Sequence, residues 1–200
     1  MPYIFTFYIH HHIRFRAQML TKECICHSAN HMRCRNKTVI GSPYCWVHLL
    51  YQRHLRIKDS NIHHAGKGLF ALNKDAGENE IIFRKGTNII RYDGEIIDHQ
   101  ELNRRYGDFT APYGIEISQN RFEDGALERG AGTLINHTTR DRANCKFIIS
   151  KNNRDDTLNH KIVIRATKNI RNGQELLASY GGNYRLNEPQ TDYRTAYEKL

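Results

Sequence analysis

The sequence lacks a long apolar segment. Its longest apolar run, residues 3–9, is far shorter than the ~18–20 residues that a helix needs to cross a bilayer. No apolar stretch with a small-residue cleavage site follows a charged start, so a secretory signal is also missing. We therefore expect a protein that is neither membrane-embedded nor secreted. The hydrophobic share of 39% and the length of 200 residues suit one core with a short appendage.

Two common nucleotide-binding signatures are absent as well. Neither G-x-G-x-x-G nor G-x-x-x-x-G-K-[ST] occurs, which disfavours Rossmann dehydrogenases and P-loop NTPases. Negative charge is scarce, because 30 Lys and Arg face 21 Asp and Glu for a net charge of +9. Such a surplus favours polyanionic or mixed-charge partners, so a basic surface that contacts nucleic acid is compatible with the sequence.

The five cysteines are concentrated in one segment, and four of them lie between residues 24 and 45. An odd number of cysteines without a secretory signal argues against a secreted disulfide framework and for a reducing compartment. Zinc prefers four nitrogen or sulfur ligands in a tetrahedron. The segment therefore predicts a zinc-binding module over residues 21–50.

The ligands of this module follow in part from their spacing. Cys45 and His48 are three residues apart, which places them on one face of the first turn of a helix. Cys34 supplies a third ligand. Either Cys24 or Cys26 supplies the fourth, and the spacing does not choose between them. The alternative is a set of buried free cysteines beside a surface histidine.

Residues 54–186 contain short apolar runs separated by Gly, Asn and Asp, and one window with helical character at 98–106. Many short strands with few helices predict a mostly β (α+β) domain and not alternating βαβ units. Residues 1–20, with three consecutive histidines, predict a poorly ordered leader, and residues 187–200 form a C-terminal tail. The strands are expected at residues 55–58, 68–72, 80–83, 88–92, 146–149 and 161–164.

Four motifs follow one another in this region. They are H-A-G-K-G-L-F at 64–70, Y-D-G-E-I-I at 92–97, G-T-L-I-N-H-T at 132–138 and G-Q-E-L-L-A-S-Y-G at 173–181. Together, and in this order, they resemble the SET-domain protein-lysine methyltransferases. The resemblance covers residue 55 to about residue 184 and implies a SET domain over residues 54–186, with several short curved sheets and a knot-like C-terminal crossing.

The resemblance also implies an activity. SET proteins transfer a methyl group from S-adenosylmethionine to a lysine, and the two substrates enter from opposite faces of the domain. Histone tails are the commonest substrates of the family, which implies a nuclear, chromatin-bound protein. A non-histone substrate would instead suit a cytoplasmic one. The alternative is a catalytically inactive SET and zinc module that reads chromatin or nucleic acid.

The donor site implied by the resemblance comprises two groups of residues. Gly66, Lys67 and Gly68 correspond to the turn whose backbone approaches the donor, since glycine lacks Cβ and permits positive φ. Asn136 and His137 correspond to the pair that holds the adenine and amino-acid ends of S-adenosylmethionine.

The lysine site implied by the resemblance is built from tyrosines. Tyr180 corresponds to the catalytic tyrosine, and Tyr92 and Tyr113 are candidates for the aromatic walls of the lysine channel. Tyr184 or residues 191–200 are expected to cap that channel.

The sequence departs from the family at one further metal site. Many relatives continue the Asn-His pair into Ser-Cys-x-Pro-Asn and carry a C-terminal cysteine cluster that binds zinc with that cysteine. Here residues 138–144 read T-T-R-D-R-A-N, and no cysteine follows Tyr180. Both parts of that zinc site are therefore missing together, and we expect Cys145 to be a core thiol.

Overall fold

The computed structural model describes residues 5–8, 14–17, 20–27, 31–107, 111–150 and 161–181. The predicted mostly β fold is confirmed, because these residues form sixteen short strands but only two α-helices and one 3-10 helix. Most of the leader, Tyr184 and the tail at 187–200 lie outside the described residues. In chain order the strands are β1 Phe5–Tyr8, β2 Arg14–Ala17, β3 Leu20–Glu23, β4 Lys37–Val39, β5 Leu55–Asp59, β6 Lys67–Ala71, β7 Ile81–Phe83, β8 Asn88–Arg91, β9 Glu95–Ile97, β10 Gly114–Ser118, β11 Arg121–Asp124, β12 Asn136–His137, β13 Cys145–Ser150, β14 Lys161–Ala166, β15 Ile170–Arg171 and β16 Leu177–Ala178.

The α-helices begin and end as their sequences suggest. Helix α1, Trp46–Arg53, follows Cys45 and ends at His54, which adopts the left-handed conformation with φ 54°. Helix α2, His99–Tyr106, begins after Asp98, whose side chain accepts a hydrogen bond of 2.8 Å from the backbone N–H of Glu101. The 3-10 helix spans Ala131–Leu134. Neither α-helix in the described ranges has the length and apolarity that a membrane crossing requires.

The central sheet contains five strands in the order β12-β16-β13-β14-β8. Strand β16 lies between β12 and β13 and runs parallel to both. Residues 138–144 connect β12 to β13, so the C-terminal segment passes between two strands that a single loop joins. Asn144 in this loop fixes the passage, because its Oδ1 accepts from the backbone N–H of Leu177 at 2.9 Å. This arrangement is the predicted knot-like crossing.

The remaining strands form a three-stranded sheet, β10-β11-β9, and four two-stranded ribbons that pair β5 with β6, β7 with β15, β3 with β4 and β1 with β2. A fully buried carboxylate, Glu123, joins the three-stranded sheet to the central one. Its two oxygens accept from the backbone N–H of Gly94 at 3.2 Å and of Ile162 at 2.8 Å. Burial raises the pKa of Glu123, and these N–H donors oppose that effect.

The N-terminal segment packs into the same hydrophobic core as the SET strands. Val39 and Leu49 belong to one buried cluster with Leu69, Ile164 and Leu176. Ile40 also forms a parallel bridge with Gly130, beside the 3-10 helix. The boundary between modules at residues 50–54 stays a prediction, but the two segments share their packing.

Gly132 in the 3-10 helix provides a test of this packing. A Cβ at this position would lie 2.2 Å from the backbone oxygen of Arg91 and 2.8 Å from Cδ1 of Ile164. Because a backbone oxygen cannot rotate away, we expect Gly132→Ala to lower the free energy of unfolding by about 1–3 kcal/mol. Urea denaturation of the purified variant measures this loss.

Gly77→Ala is the matched control, since a Cβ there meets nothing within 4 Å. We expect this exposed substitution to change stability by no more than about 0.5 kcal/mol. Equal midpoints for the two variants would contradict the close contact between the 3-10 helix and β8.

Candidate functional site

A cavity of about 460 Å³ lies between the central sheet and β10. Three tyrosines singled out by the sequence line it, namely Tyr92, Tyr113 and Tyr180. The remaining walls are mainly apolar, with the exposed Glu116 and Lys146 as the charged groups. The lining is completed by Pro112, Gly114, Ile115, Thr133, Ile135, Phe147, Ser179 and Gly181.

Tyr180 lies where the cavity meets strand β12. Its hydroxyl donates a hydrogen bond of 2.7 Å to the backbone oxygen of Ile135. Its backbone N–H donates to Nδ1 of His137 at 3.1 Å, and the two rings meet edge to face at 5.2 Å. The phenol proton is therefore directed at Ile135, which leaves the oxygen lone pairs to accept hydrogen bonds.

His137 is neutral in this arrangement. A ring nitrogen that accepts a backbone N–H carries no proton, so the proton of the imidazole lies on Nε2. Partial burial lowers the pKa of His137, which favours the same neutral state.

Asn136 is held by the turn that contains the two glycines. Its Nδ2 donates to the backbone oxygen of Lys67 at 3.1 Å and to Oε1 of Glu175 at 3.2 Å. Both partners are acceptors, so the amide nitrogen must face them and Oδ1 points elsewhere. The structure thus brings Lys67 and Gly68 next to Asn136, as the resemblance implies. Gly66 adopts φ +71°, which favours glycine.

Glu175 is a central residue of this site that sequence reasoning did not single out. It is 5% exposed, and its carboxylate accepts from the hydroxyl of Ser60 at 2.6 Å and the backbone N–H of Asn61 at 2.8 Å. A Cβ on Gly68 would lie 2.3 Å from Oε1 of Glu175, which explains the glycine. An acidic residue directly before the apolar run Leu176-Leu177-Ala178 was the available signal.

Tyr92 and Tyr113 form one wall of the cavity. The hydroxyl of Tyr92 donates to the backbone oxygen of Tyr113 at 2.7 Å. Burial raises the pKa of both phenols, so the wall stays uncharged at neutral pH. Phe147 meets the ring of Tyr92 edge to face at 5.9 Å and extends the aromatic surface.

A second group of residues is suited to a metal ion. The ligand atoms of Cys24, Cys34, Cys45 and His48 all lie within 4.8 Å of one another. Nδ1 of His48 is 3.2 Å from the Cys45 sulfur and 3.4 Å from the Cys24 sulfur. Three sulfurs and one imidazole nitrogen are a donor set typical of structural zinc.

The geometry also distinguishes the two cysteines that spacing could not. Cys24 belongs to the cluster, and Cys26 does not. Cys26 instead supports the cluster through its backbone oxygen, which accepts from the N–H of Cys34 at 2.8 Å. Cys145 lies buried in the core, where burial raises its pKa to about 12, in keeping with an unreactive thiol.

Comparison with known proteins agrees with this geometry. The family model of the SET domain matches residues 66–181, more than half of the chain. The chain belongs to the SET-domain family. The resemblance drawn from the four motifs is therefore confirmed, and with it membership of a family of S-adenosylmethionine-dependent lysine methyltransferases. A search of curated proteins found no match to this chain.

Solved structures of Polycomb Repressive Complex 2 from Chaetomium thermophilum share the fold. One, in an autoinhibited conformation bound to S-adenosylmethionine, has 27% identity and a TM-score of 0.53 over 67% of this SET protein. A humanised mutant bound to the inhibitor GSK126 has 27% identity and a TM-score of 0.52 over 66%. The SET protein spans only 16% and 15% of those chains.

Glu175→Gln tests the support of the turn that contains Gly66 and Gly68. The substitution keeps the shape but places an amide NH₂ against N–H and O–H donors, so we expect a loss of about 1–3 kcal/mol of stability. We also expect affinity for S-adenosylmethionine to fall by roughly tenfold, because Asn136 and the turn at residues 60–68 lose their common acceptor. Calorimetry measures the affinity. Glu78→Gln, an exposed carboxylate, is the control. Unchanged donor binding in folded Glu175→Gln would remove Glu175 from the site.

Elemental analysis tests the metal cluster. We expect one equivalent of zinc per chain in the wild type, none in Cys45→Ser, and one in the matched control Cys26→Ser. Because Val39 and Leu49 share the SET core, we expect chelation to lower the melting temperature of the whole protein. A wild type without zinc would refute the assignment. A Cys26→Ser variant that lacks zinc, beside a Cys45→Ser variant that retains it, would also refute it.

Proposed function

We propose that this SET protein transfers a methyl group from S-adenosylmethionine to the side chain of a protein lysine. The main support for this proposal is the position of Tyr180. Tyr180, with its hydroxyl proton directed at Ile135, stands where a cavity lined by aromatic rings meets the strand that holds Asn136 and His137. A lysine side chain in the cavity and a donor at the glycine turn would thus meet beside Tyr180.

The cavity suits the chemistry of the lysine. A free lysine amine has a pKa of ~10.4, and it attacks only after it has lost a proton. Apolar walls and buried phenols penalise the ammonium form and therefore favour the neutral amine. The aliphatic stem of the side chain packs against the rings of Tyr92, Tyr113 and Phe147.

Tyr180 orients the amine. Because its own proton is donated to Ile135, its oxygen accepts an N–H of the incoming amine. That hydrogen bond fixes the direction of the nitrogen lone pair, which must lie in line with the methyl group under attack.

The residues on the other side of β12 suit the donor. Asn136 uses both amide hydrogens on Lys67 and Glu175, so its Oδ1 is oriented to accept from the ammonium of the amino-acid end. Gly66 adopts the positive φ that the turn requires, and Gly68 leaves room for the carboxylate of Glu175, which binds Asn136. S-adenosylmethionine supplies the electrophilic methyl group when bound.

The preferred substrate is a histone tail, and the corresponding location is chromatin. The support is the similarity to the SET part of a Polycomb Repressive Complex 2 structure bound to S-adenosylmethionine. A non-histone lysine and a cytoplasmic location are the alternatives within the same activity.

A second candidate function, a non-catalytic reader, draws support from the charge of the metal module. No Asp or Glu occurs between Glu23 and Asp59. A segment without carboxylates suits a polyanion such as nucleic acid, which would also help the enzyme to dock on chromatin. The exposed cations of this segment are Arg33, Arg35, Lys37, Arg53 and Lys58.

Labelled methyl transfer to a panel of histones, with mass spectrometry of the products, tests the activity. We expect transfer by the wild type and a reduction of about 10–100-fold, or an altered product distribution, in Tyr180→Phe. Donor affinity should stay nearly unchanged, because the ring contacts of Tyr180 with His137 remain. Tyr51→Phe, whose side chain is exposed, is the control.

The same experiment separates the two functions. A wild type that binds S-adenosylmethionine and methylates no protein would support the reader and refute the enzyme. Wild-type transfer rates in Tyr180→Phe, with the same products, would remove Tyr180 from its role.

A further inference from the structure

A buried cation lies behind one wall of the cavity. Arg129 is 0% exposed, and its guanidinium carbon is 4.0 Å from the ring centroid of Tyr113. Its Nε donates to the backbone oxygen of Gly125 at 2.8 Å, and Nη2 donates to that of Ala126 at 3.4 Å. Tyr113 lines the cavity, whereas Arg129 does not. The phenol ring therefore separates a fixed positive charge from the space that the substrate would occupy.

We propose that Arg129 is a positioning residue that holds Tyr113 against the cavity and selects the neutral amine of the substrate lysine over its ammonium form. This inference rests on the proposed function, since it assigns the cavity to a lysine side chain. It concerns the charge of that side chain and not the transfer step itself.

The physical basis is competition between two cations for one aromatic ring. A cation on one side of a ring is attracted by the ring quadrupole, but a second cation on the far side repels it through the ring. An ammonium packed against the cavity side of Tyr113 would lie on the order of 8 Å from the guanidinium. At an effective dielectric of ~20, a charge at that distance lowers the pKa of the lysine by roughly one to two units. A neutral amine has no such penalty.

The neighbouring charges do not cancel this effect at Tyr113. Asp124 of β11 is fully buried nearby, but its Oδ2 accepts from Nη1 of Arg105 at 2.7 Å, and Tyr106 also donates to it. Arg105 is in turn paired with Glu95 at 2.8 Å. Burial raises the pKa of Tyr113, and Arg129 opposes this rise more strongly than Asp124 adds to it.

Other titratable groups face the cavity from its remaining walls. Glu116 on β10 and Lys146 on β13 are both exposed, so water screens their charges. Tyr92 and Tyr180 are phenols with no charge at neutral pH. Arg129 is thus the buried charge in direct contact with a cavity wall.

Peptide binding gives the first test and does not require turnover. The probes are a histone peptide with the target lysine and the same peptide with norleucine, which has the same stem and no charge. We expect the wild type at pH 7 to prefer norleucine, and Arg129→Met to reduce that preference by about tenfold. Arg129→Lys keeps the positive charge and should keep the preference. Arg84→Met, which removes an exposed cation, is the charge-matched control.

The pH profile of kcat gives the second test. In the wild type we expect kcat to rise with pH and to reach a plateau below the ordinary lysine range. In Arg129→Met the profile should move to higher pH by roughly one unit, with the plateau recovered at high pH. A merely structural role would lower the plateau and leave the position of the profile unchanged, and that result would overturn the inference.

The wild type alone decides the matter if Arg129→Met does not fold. Its affinity for the lysine peptide should increase with pH, while that for the norleucine peptide stays constant. Equal pH dependence for both peptides overturns the selection by charge. Charge-selective binding without methyl transfer would refute the proposed function but retain the role of Arg129, and failure to bind either peptide refutes both.

Discussion

The parallel pairing of β16 with β12 is the interaction on which the site depends. It sets Leu177 opposite Asn136 and Ala178 opposite His137, and so determines where the flanking residues fall. Two residues before the pair, Glu175 reaches the turn that contains Gly68, and two residues after it, Tyr180 lines the cavity. A shift of one residue would turn both side chains to the wrong face, because side chains alternate along a strand.

The backbone hydrogen bonds between two such short strands are too few to fix this register. Each contributes two residues, so side chains supply the missing stabilisation. Asn144 binds the backbone at the start of β16, where its Nδ2 donates to Glu175 O at 2.7 Å and its Oδ1 accepts from Leu177 N at 2.9 Å, and the hydroxyl of Tyr180 after the strand donates to Ile135 O. Because Glu175 also binds Asn136 and Tyr180 lines the cavity, the contacts that stabilise the crossing are the contacts that would align donor and lysine in the proposed reaction.

The sequence predicted the elements that local rules govern. Alternating apolar residues located β5, β6, β8, β13 and β14, and Asp98 located the start of α2. The spacing of Cys45 and His48 fitted the first turn of α1. The crossing followed only from the family resemblance, since no periodicity encodes which distant strands pair. The choice between Cys24 and Cys26 stayed open and Glu175 was not singled out for the same reason, because their contacts join residues that are 21 to 115 positions apart in the chain.

The shared core has a consequence for synthesis of the protein. Val39 is translated more than 100 residues before Ile164, Leu176 and Ala178, yet the cluster that buries it includes all three. The nascent metal module cannot bury its apolar face until nearly the entire SET region has been translated. Chain termination before β16 would leave Val39 and Leu49 without part of their packing partners, so quality control would detect such a truncated product through the apolar residues of this segment.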